Sequence, residues 1–222
     1  MSSPRAYTPI NHDLEGLALS PAQPKALVLF LHGFGANGAD LMGIGQALAP
    51  HLPEIGFVAP DAPGRLPFGP NSRFWFPLTP DLKPEDLDRG VQQARPLVAD
   101  YIKAVLHDFD MPADKLLLVG FSQGCMIALE TAPRLDTPVG QVMGLSGALA
   151  GEERLANEAI SRPPIFLGHG TADPVVPFAA MDRAKNALES ADFDVTSAAY
   201  EGVGHGIPNE AIQTLATFAQ GL

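Results

Sequence analysis

Short apolar runs alternate along the chain with longer stretches in which apolar residues recur at three- and four-residue spacing. The runs at residues 26–31, 55–59, 116–119, 139–145, 164–167 and 194–200 predict strands. The first of them, Ala26-Leu27-Val28-Leu29-Phe30-Leu31, is apolar in both phases, as a strand buried on both faces must be. The stretches at 39–49, 84–108, 123–133, 177–188 and 208–219 predict helices. In the longest, Leu87, Val91, Ala94, Val98, Ile102 and Val105 form one buried face, Pro84 opens the first turn, and Pro96 is expected to kink or divide it. The last is expected to bury Ile212, Leu215 and Ala219. One or two short antiparallel strands, at 7–10 and 14–19, precede this pattern, and an irregular segment runs from residue 60 to about residue 80.

Strands alternating with helices predict an α/β fold, a mostly parallel central sheet with helices on both faces, in a single domain spanning 1–222. Ligands of such sheets bind beyond the carboxyl ends of the strands. The chemistry is therefore sought in the loops there.

Gly120-Phe121-Ser122-Gln123-Gly124 joins a predicted strand to a predicted helix. Glycines two residues either side of Ser122 let strand and helix pass closer than a Cβ permits, and the bend strains the serine backbone and exposes its hydroxyl. The helix points its N-terminus at the serine, so the N–H of Gln123 is free to bind a developing oxyanion. The competing reading is an ordinary βα turn with a capping serine. A similar stretch, Gly144-Leu145-Ser146-Gly147-Ala148, has no apolar helical run after it, so Ser146 is expected to line the site rather than react. Earlier, His32-Gly33-Phe34-Gly35-Ala36-Asn37-Gly38 follows a strand and allows close backbone approach to a ligand. It lacks the Lys-Ser/Thr pair of a phosphate loop, and the N–H of Phe34 is the candidate second oxyanion donor.

A serine hydroxyl needs a histidine to take its proton and a carboxylate to hold that histidine in the right tautomer. Of the six histidines, His12, His51 and His107 lie in polar or helix-end positions, and His32 and His169 directly precede glycine turns, where a ring braces the loop. His205, in a glycine-flanked loop after the last strand, is the candidate base. Asp173, in a loop braced by Pro174 and Pro177, is the candidate carboxylate, with Asp61 as its rival. The order Ser122, Asp173, His205 is that of a nucleophile-turn hydrolase, which favours Asp173. Phe74-Trp75-Phe76 is either an apolar wall beside the site or a plug at the edge of the core.

Composition narrows the partners. A chain of 222 residues, 46% hydrophobic and 18% charged, can bury a large core. Its formal charge of −11 argues against nucleic acid and anionic membrane surfaces. The N-terminus lacks the apolar core of a signal peptide and no apolar run is long enough to span a bilayer, so a cytoplasmic protein without stable membrane insertion is expected. The single cysteine, Cys125, is read as a small buried hydrophobe. No histidine pair has helical zinc spacing and no dinucleotide fingerprint is present, so neither metal nor cofactor is expected. A homodimer through apolar helices near the C-terminus is left open.

Five stretches together carry a resemblance: Leu31-His32-Gly33-Phe34-Gly35, Gly120-Phe121-Ser122-Gln123-Gly124, Leu145-Ser146-Gly147, the segment from His169-Gly170-Thr171-Ala172-Asp173 to Pro177, and Gly204-His205-Gly206. In that order they resemble the phospholipase/carboxylesterase family of α/β-hydrolases, which includes acyl-protein thioesterases and small bacterial carboxylesterases. The resemblance covers nearly the whole chain. It implies an α/β-hydrolase fold without a large lid domain, a triad of Ser122, Asp173 and His205, and an oxyanion held by the N–H groups of Phe34 and Gln123. It also implies a small ester or thioester as substrate. Phe34 and Ala36-Asn37 stand where eukaryotic acyl-protein thioesterases usually carry leucine and then aspartate, which favours a small-ester hydrolase. An acyl thioesterase or lysophospholipase for long acyl chains is the alternative, and a non-catalytic binding protein on the same scaffold is the competing class.

Overall fold

The computed structural model describes residues 3–67, 69, 71–79, 81 and 83–222. In chain order its elements are β1 (Arg5–Tyr7), β2 (Gly16–Leu19), β3 (Ala26–Leu31), α1 (Gly38–Leu48), β4 (Ile55–Pro60), β5 (Gly64–Arg65), β6 (Arg73–Phe74), α2 (Pro84–Asp108), β7 (Leu116–Phe121), α3 (Gln123–Thr131), β8 (Gln141–Leu145), α4 (Glu152–Glu158), β9 (Ile165–Gly170), α5 (Ala179–Ser190), β10 (Val195–Tyr200) and α6 (Asn209–Gly221). Eight strands form one sheet in the order β1-β2-β4-β3-β7-β8-β9-β10. The pairs β1–β2 and β2–β4 are antiparallel and every other neighbouring pair is parallel. This is an α/β-hydrolase fold, and no large lid domain occurs among the described residues. Nor, among those residues, is any helix long and apolar enough to cross a membrane.

The two-phase apolarity of the central strands has a direct cause in the packing. Leu27, Leu29, Leu31, Leu116 and Leu118 point into a core shared with Val98 and Ile102 of α2, Ile127 of α3 and Leu188 of α5. Val28, Phe30, Leu117 and Val119 point the other way, onto Leu41 and Met42 of α1 and Leu215 of α6. Each such side chain, once removed from water, contributes about 1.5–3 kcal/mol, so the middle of the sheet is a stiff base for the loops at its ends. The register pairs Leu31 with Gly120, Phe121 with Leu145, Leu145 with Gly168, and Tyr200 with Gly170. The strands therefore finish nearly level, and their carboxyl-end loops converge.

Helix α3, which follows directly on Ser122, is tied to its neighbours by charge as well. Glu130 is 1% exposed and its carboxylate meets Arg95 of α2 at 3.0 Å, Arg134 at 3.0 Å and Arg154 of α4 at 3.1 Å.

Several local expectations are corrected. The first strand is Arg5–Tyr7 rather than 7–10, because Pro9 has no N–H for a ladder and opens a turn to His12 in which Asn11 takes φ 61°. Pro96 does not divide α2, which is assigned as one helix. Pro96 and Gln92, the residue whose carbonyl it deprives of a donor, both lie on the exposed face. The segment after β4 is not wholly irregular, since β5 and β6 pair antiparallel within it. Helix α4 was not anticipated: Leu155 is its only buried residue, which leaves no apolar period to detect. In α6 the buried positions are Ala211, Leu215 and Ala219, with Ile212 only half-buried.

Candidate active site

At the end of β7 the chain turns through Ser122, whose φ of 54° and ψ of −117° lie outside the regions that ordinary side chains favour. The flanking glycines make the turn sterically feasible. A Cβ at Gly120 would stand 2.3 Å from the carbonyl oxygen of Gly124, and one at Gly124 would stand 1.9 Å from that of Leu31. The strained residue is held by its N–H donating to Leu145 C=O at 2.9 Å and its C=O accepting from Met126 N–H at 3.2 Å.

The loops after β9 and β10 bring Asp173 and His205 to this turn. His205 Nε2 lies 3.0 Å from Ser122 Oγ, and His205 Nδ1 lies 2.7 Å from Asp173 Oδ2. The Asp173 side chain is fully buried, and its Oδ1 accepts from Val175 N–H at 2.8 Å and Val176 N–H at 2.9 Å. Burial alone would raise the Asp173 pKa. The hydrogen bonds from His205 and from the Val176 and Val175 N–H groups outweigh it and hold the carboxyl below its ordinary value. An ionised carboxylate only accepts, so His205 Nδ1 carries the proton and Nε2 presents a lone pair to the serine hydroxyl.

The remaining polar residues sort by their contacts. His169 donates from Nε2 to Val176 C=O at 2.9 Å and so braces the loop that carries Asp173. His32 donates from Nδ1 to Gly33 C=O at 2.8 Å and accepts at Nε2 from Ala62 N–H at 3.0 Å, and burial lowers its pKa, which favours the neutral ring this pairing needs. Asp61 is occupied elsewhere, accepting from Gly38 N–H at 2.8 Å at the start of α1 and facing Arg73 at 3.5 Å.

The first glycine loop runs against the serine, since a Cβ at Gly33 would lie 3.2 Å from that of Ser122. Among the described residues, the N–H groups of Phe34 and Gln123 donate to no other group. Phe34 is 37% exposed, and its ring stands 5.9 Å from that of half-buried Phe74. Trp75 and Phe76 are not exposed beside it: at 5% and 2% exposure they are packed into the core. Ser146, at φ 47° and 2% exposure, lies in the next strand-end loop, its N–H bonded to Gly168 C=O at 2.8 Å.

A model of the phospholipase/carboxylesterase family matches residues 18–222 of this chain. The chain belongs to that family. Acyl-protein thioesterase 1 of Debaryomyces hansenii is 31% identical over 219 residues, spanning 91% of this chain and 93% of that protein. Esterase YpfH of Escherichia coli (strain K12) is 31% identical over 196 residues, 87% of this chain and 82% of its own length. The solved structure of esterase PE8 is similar at a TM-score of 0.89 and 32% identity, covering 94% of this chain and 98% of its own. The protein is thus a hydrolase of the phospholipase/carboxylesterase family. One feature of this family member escaped the sequence reading: the Gln123 side chain is 1% exposed and bonded at both ends to main-chain groups of Trp75 and Phe76. Its position inside the Gly-x-Ser-x-Gly turn drew attention to its N–H alone.

Proposed function

We propose that this hydrolase cleaves small or medium carboxylic esters through an acyl-enzyme on Ser122. The reading rests on one observation, the unbroken relay in which Asp173 Oδ2, His205 and Ser122 Oγ follow one another at 2.7 and 3.0 Å. His205 takes the proton from Ser122 as its oxygen attacks the carbonyl carbon. The N–H groups of Phe34 and Gln123 bind the oxyanion. His205 then protonates the departing alkoxide, the acyl group stays on Ser122, and water attacks the acyl-enzyme by the same route. Asp173, kept ionised by its own hydrogen bonds, stabilises the imidazolium formed in each half.

On the substrate side, Phe34 and Phe74 form an apolar lip, Trp75 and Phe76 back it from the core, and Ser146 lines the floor. Support for a small acyl group comes from the packing of Trp75 and Phe76, which at 5% and 2% exposure leave Phe34 and Phe74 as the apolar side chains of the lip. Similarity to relatives such as the acyl-protein thioesterase 1 of Debaryomyces hansenii supports a second reading, a thioesterase for longer acyl chains.

The test is steady-state hydrolysis of p-nitrophenyl esters from acetate to palmitate, beside the matching acyl thioesters, by wild type and Ser122→Ala. Serine-dependent turnover with its maximum at short esters is expected. A maximum at long thioesters selects the second reading, and wild-type turnover by Ser122→Ala overturns both.

A further inference from the structure

A primary amide as completely withdrawn from water as that of Gln123, 1% exposed, must find its partners in the protein. Both partners belong to one segment: Oε1 accepts from Trp75 N–H at 2.8 Å, and Nε2 donates to Phe76 C=O at 2.8 Å. That segment also grips the first glycine loop. Trp75 Nε1–H donates to His32 C=O at 2.9 Å, Arg73 N–H donates to Ala36 C=O at 3.0 Å, and Arg73 C=O accepts from Gly35 N–H at 2.7 Å. Phe34 lies between these grips, flanked by His32 and Gly35.

The two N–H groups aimed at the oxyanion sit on different elements, one in the loop after β3 and one at the start of α3. The ladder joining β3 to β7 ends at the pair Leu31 and Gly120, each three residues before a donor. Beyond that pair, a second connection between the two sides runs from the Gln123 amide through residues 73–76 to His32, Gly35 and Ala36.

We propose that residues 73–76 are a strut that sets the spacing of the two oxyanion donors, fastened at one end by the Gln123 amide and at the other by the Trp75 indole together with the main-chain bonds of Arg73. This inference rests on the hydrolase mechanism given above. It makes the side chains of Gln123 and Trp75 positioning residues, distinct from the role of the Gln123 N–H. Oxyanion donors work only within about 2.7–3.1 Å of the developing charge, and a misplacement of about 1 Å costs on the order of a hundredfold in rate. Substrate ground-state binding has no such demand. Loosening the strut should therefore lower kcat and spare KM.

Two variants test this. Gln123→Met keeps the bulk of the side chain and removes both of its hydrogen bonds, whereas Trp75→Phe keeps an aromatic ring and removes the bond to His32. Active sites are counted by titration to completion with a fluorophosphonate. Each variant is expected to lose roughly 10- to 100-fold in kcat per titrated site, with KM within about twofold of wild type. The affinity for a trifluoromethyl ketone, whose serine adduct carries the oxyanion, should fall by the same factor as kcat. The pH of half-maximal kcat/KM should not move, because the His205–Asp173 pair is untouched. Wild-type kcat per site in folded variants, or a loss confined to KM or to the number of titratable sites, overturns the strut. Should Gln123→Met fail to fold, Trp75→Phe decides alone. Ser122→Ala separates the two levels: turnover surviving in it overturns the mechanism itself, whereas its inactivity beside unimpaired strut variants overturns only the strut.

Discussion

Asp173→Asn alters the relay with almost no change of shape, and the surrounding hydrogen bonds dictate how the amide must sit. The place of Oδ1 faces two donors, Val175 N–H at 2.8 Å and Val176 N–H at 2.9 Å. An NH₂ group there would oppose both, so the amide oxygen takes that place and the NH₂ takes the place of Oδ2. The NH₂ then lies 2.7 Å from His205 Nδ1 and 3.4 Å from His169 Nε2. Since it donates, His205 Nδ1 must become the acceptor and the ring proton moves to Nε2, 3.0 Å from Ser122 Oγ. In that tautomer the histidine cannot take the serine proton. The same change in a Ser-His-Asp protease lowers kcat by about 10⁴, which at about 1.36 kcal/mol per tenfold is roughly 5.4 kcal/mol of transition-state stabilisation. The assay is p-nitrophenyl acetate hydrolysis followed by absorbance, with thermal melting to confirm that the variant is folded. A folded Asp173→Asn that loses less than about tenfold in kcat would refute the tautomer argument. Asp61→Asn serves as the contrast: its carboxylate is committed to Gly38 N–H and Arg73, so kcat should stay within about tenfold of wild type.

How much of this was legible in the sequence depended on whether a residue's partners were local. Strands β3 and β7 announce themselves because both faces are buried, and the turn at Ser122 is marked by glycines adjacent in the chain. Asp173 and His205 stand directly after strands, beside glycines and prolines, where an α/β sheet gathers its ligands. The order of the strands was not readable, since apolar runs carry no record of which run lies beside which. Helix α4 escaped for want of a period, and the short pairing of β5 with β6 depends on contacts across a loop. For Phe74-Trp75-Phe76, apolarity was compatible with wall or plug, and packing separated them: Phe76 fills the space over Gly90, where a Cβ would come within 2.3 Å of its ring. The Gln123 amide could not be read at all. Its partners are main-chain atoms nearly fifty residues away, with separations of 48 and 47, and main-chain atoms leave no mark in a sequence.

Glu130→Ala removes the buried carboxylate shared by Arg95, Arg134 and Arg154, while Arg134 and Arg154 each keep Glu158 at 2.7 Å. It is expected to destabilise the fold by about 1.5–3 kcal/mol, and no measurable change in urea titration would show the cluster to be dispensable. Burial lowers the His32 pKa, so the folded chain binds fewer protons at this residue than the unfolded chain below its ordinary value of 6.5. Stability should therefore decline as pH drops through that value towards the lower folded pKa, by up to about 1.4 kcal/mol per pH unit. His32→Asn should flatten this part of the profile, and an unchanged slope would assign the decline to other groups. Acyl chain length decides between the two substrate readings. Each methylene that leaves water for an apolar surface contributes about 0.8 kcal/mol, which is about fourfold in kcat/KM at about 1.36 kcal/mol per tenfold. The rise continues only while apolar surface remains to cover. With Trp75 and Phe76 packed into the core, the apolar side chains beside the triad are Phe34, Phe74 and Phe121, whose ring lies 5.0 Å from that of His205. A plot of log kcat/KM against carbon number should climb over the first few carbons and then level off. An unbroken climb to palmitoyl would require an apolar channel of that length and would move the assignment to the long-chain thioesterase.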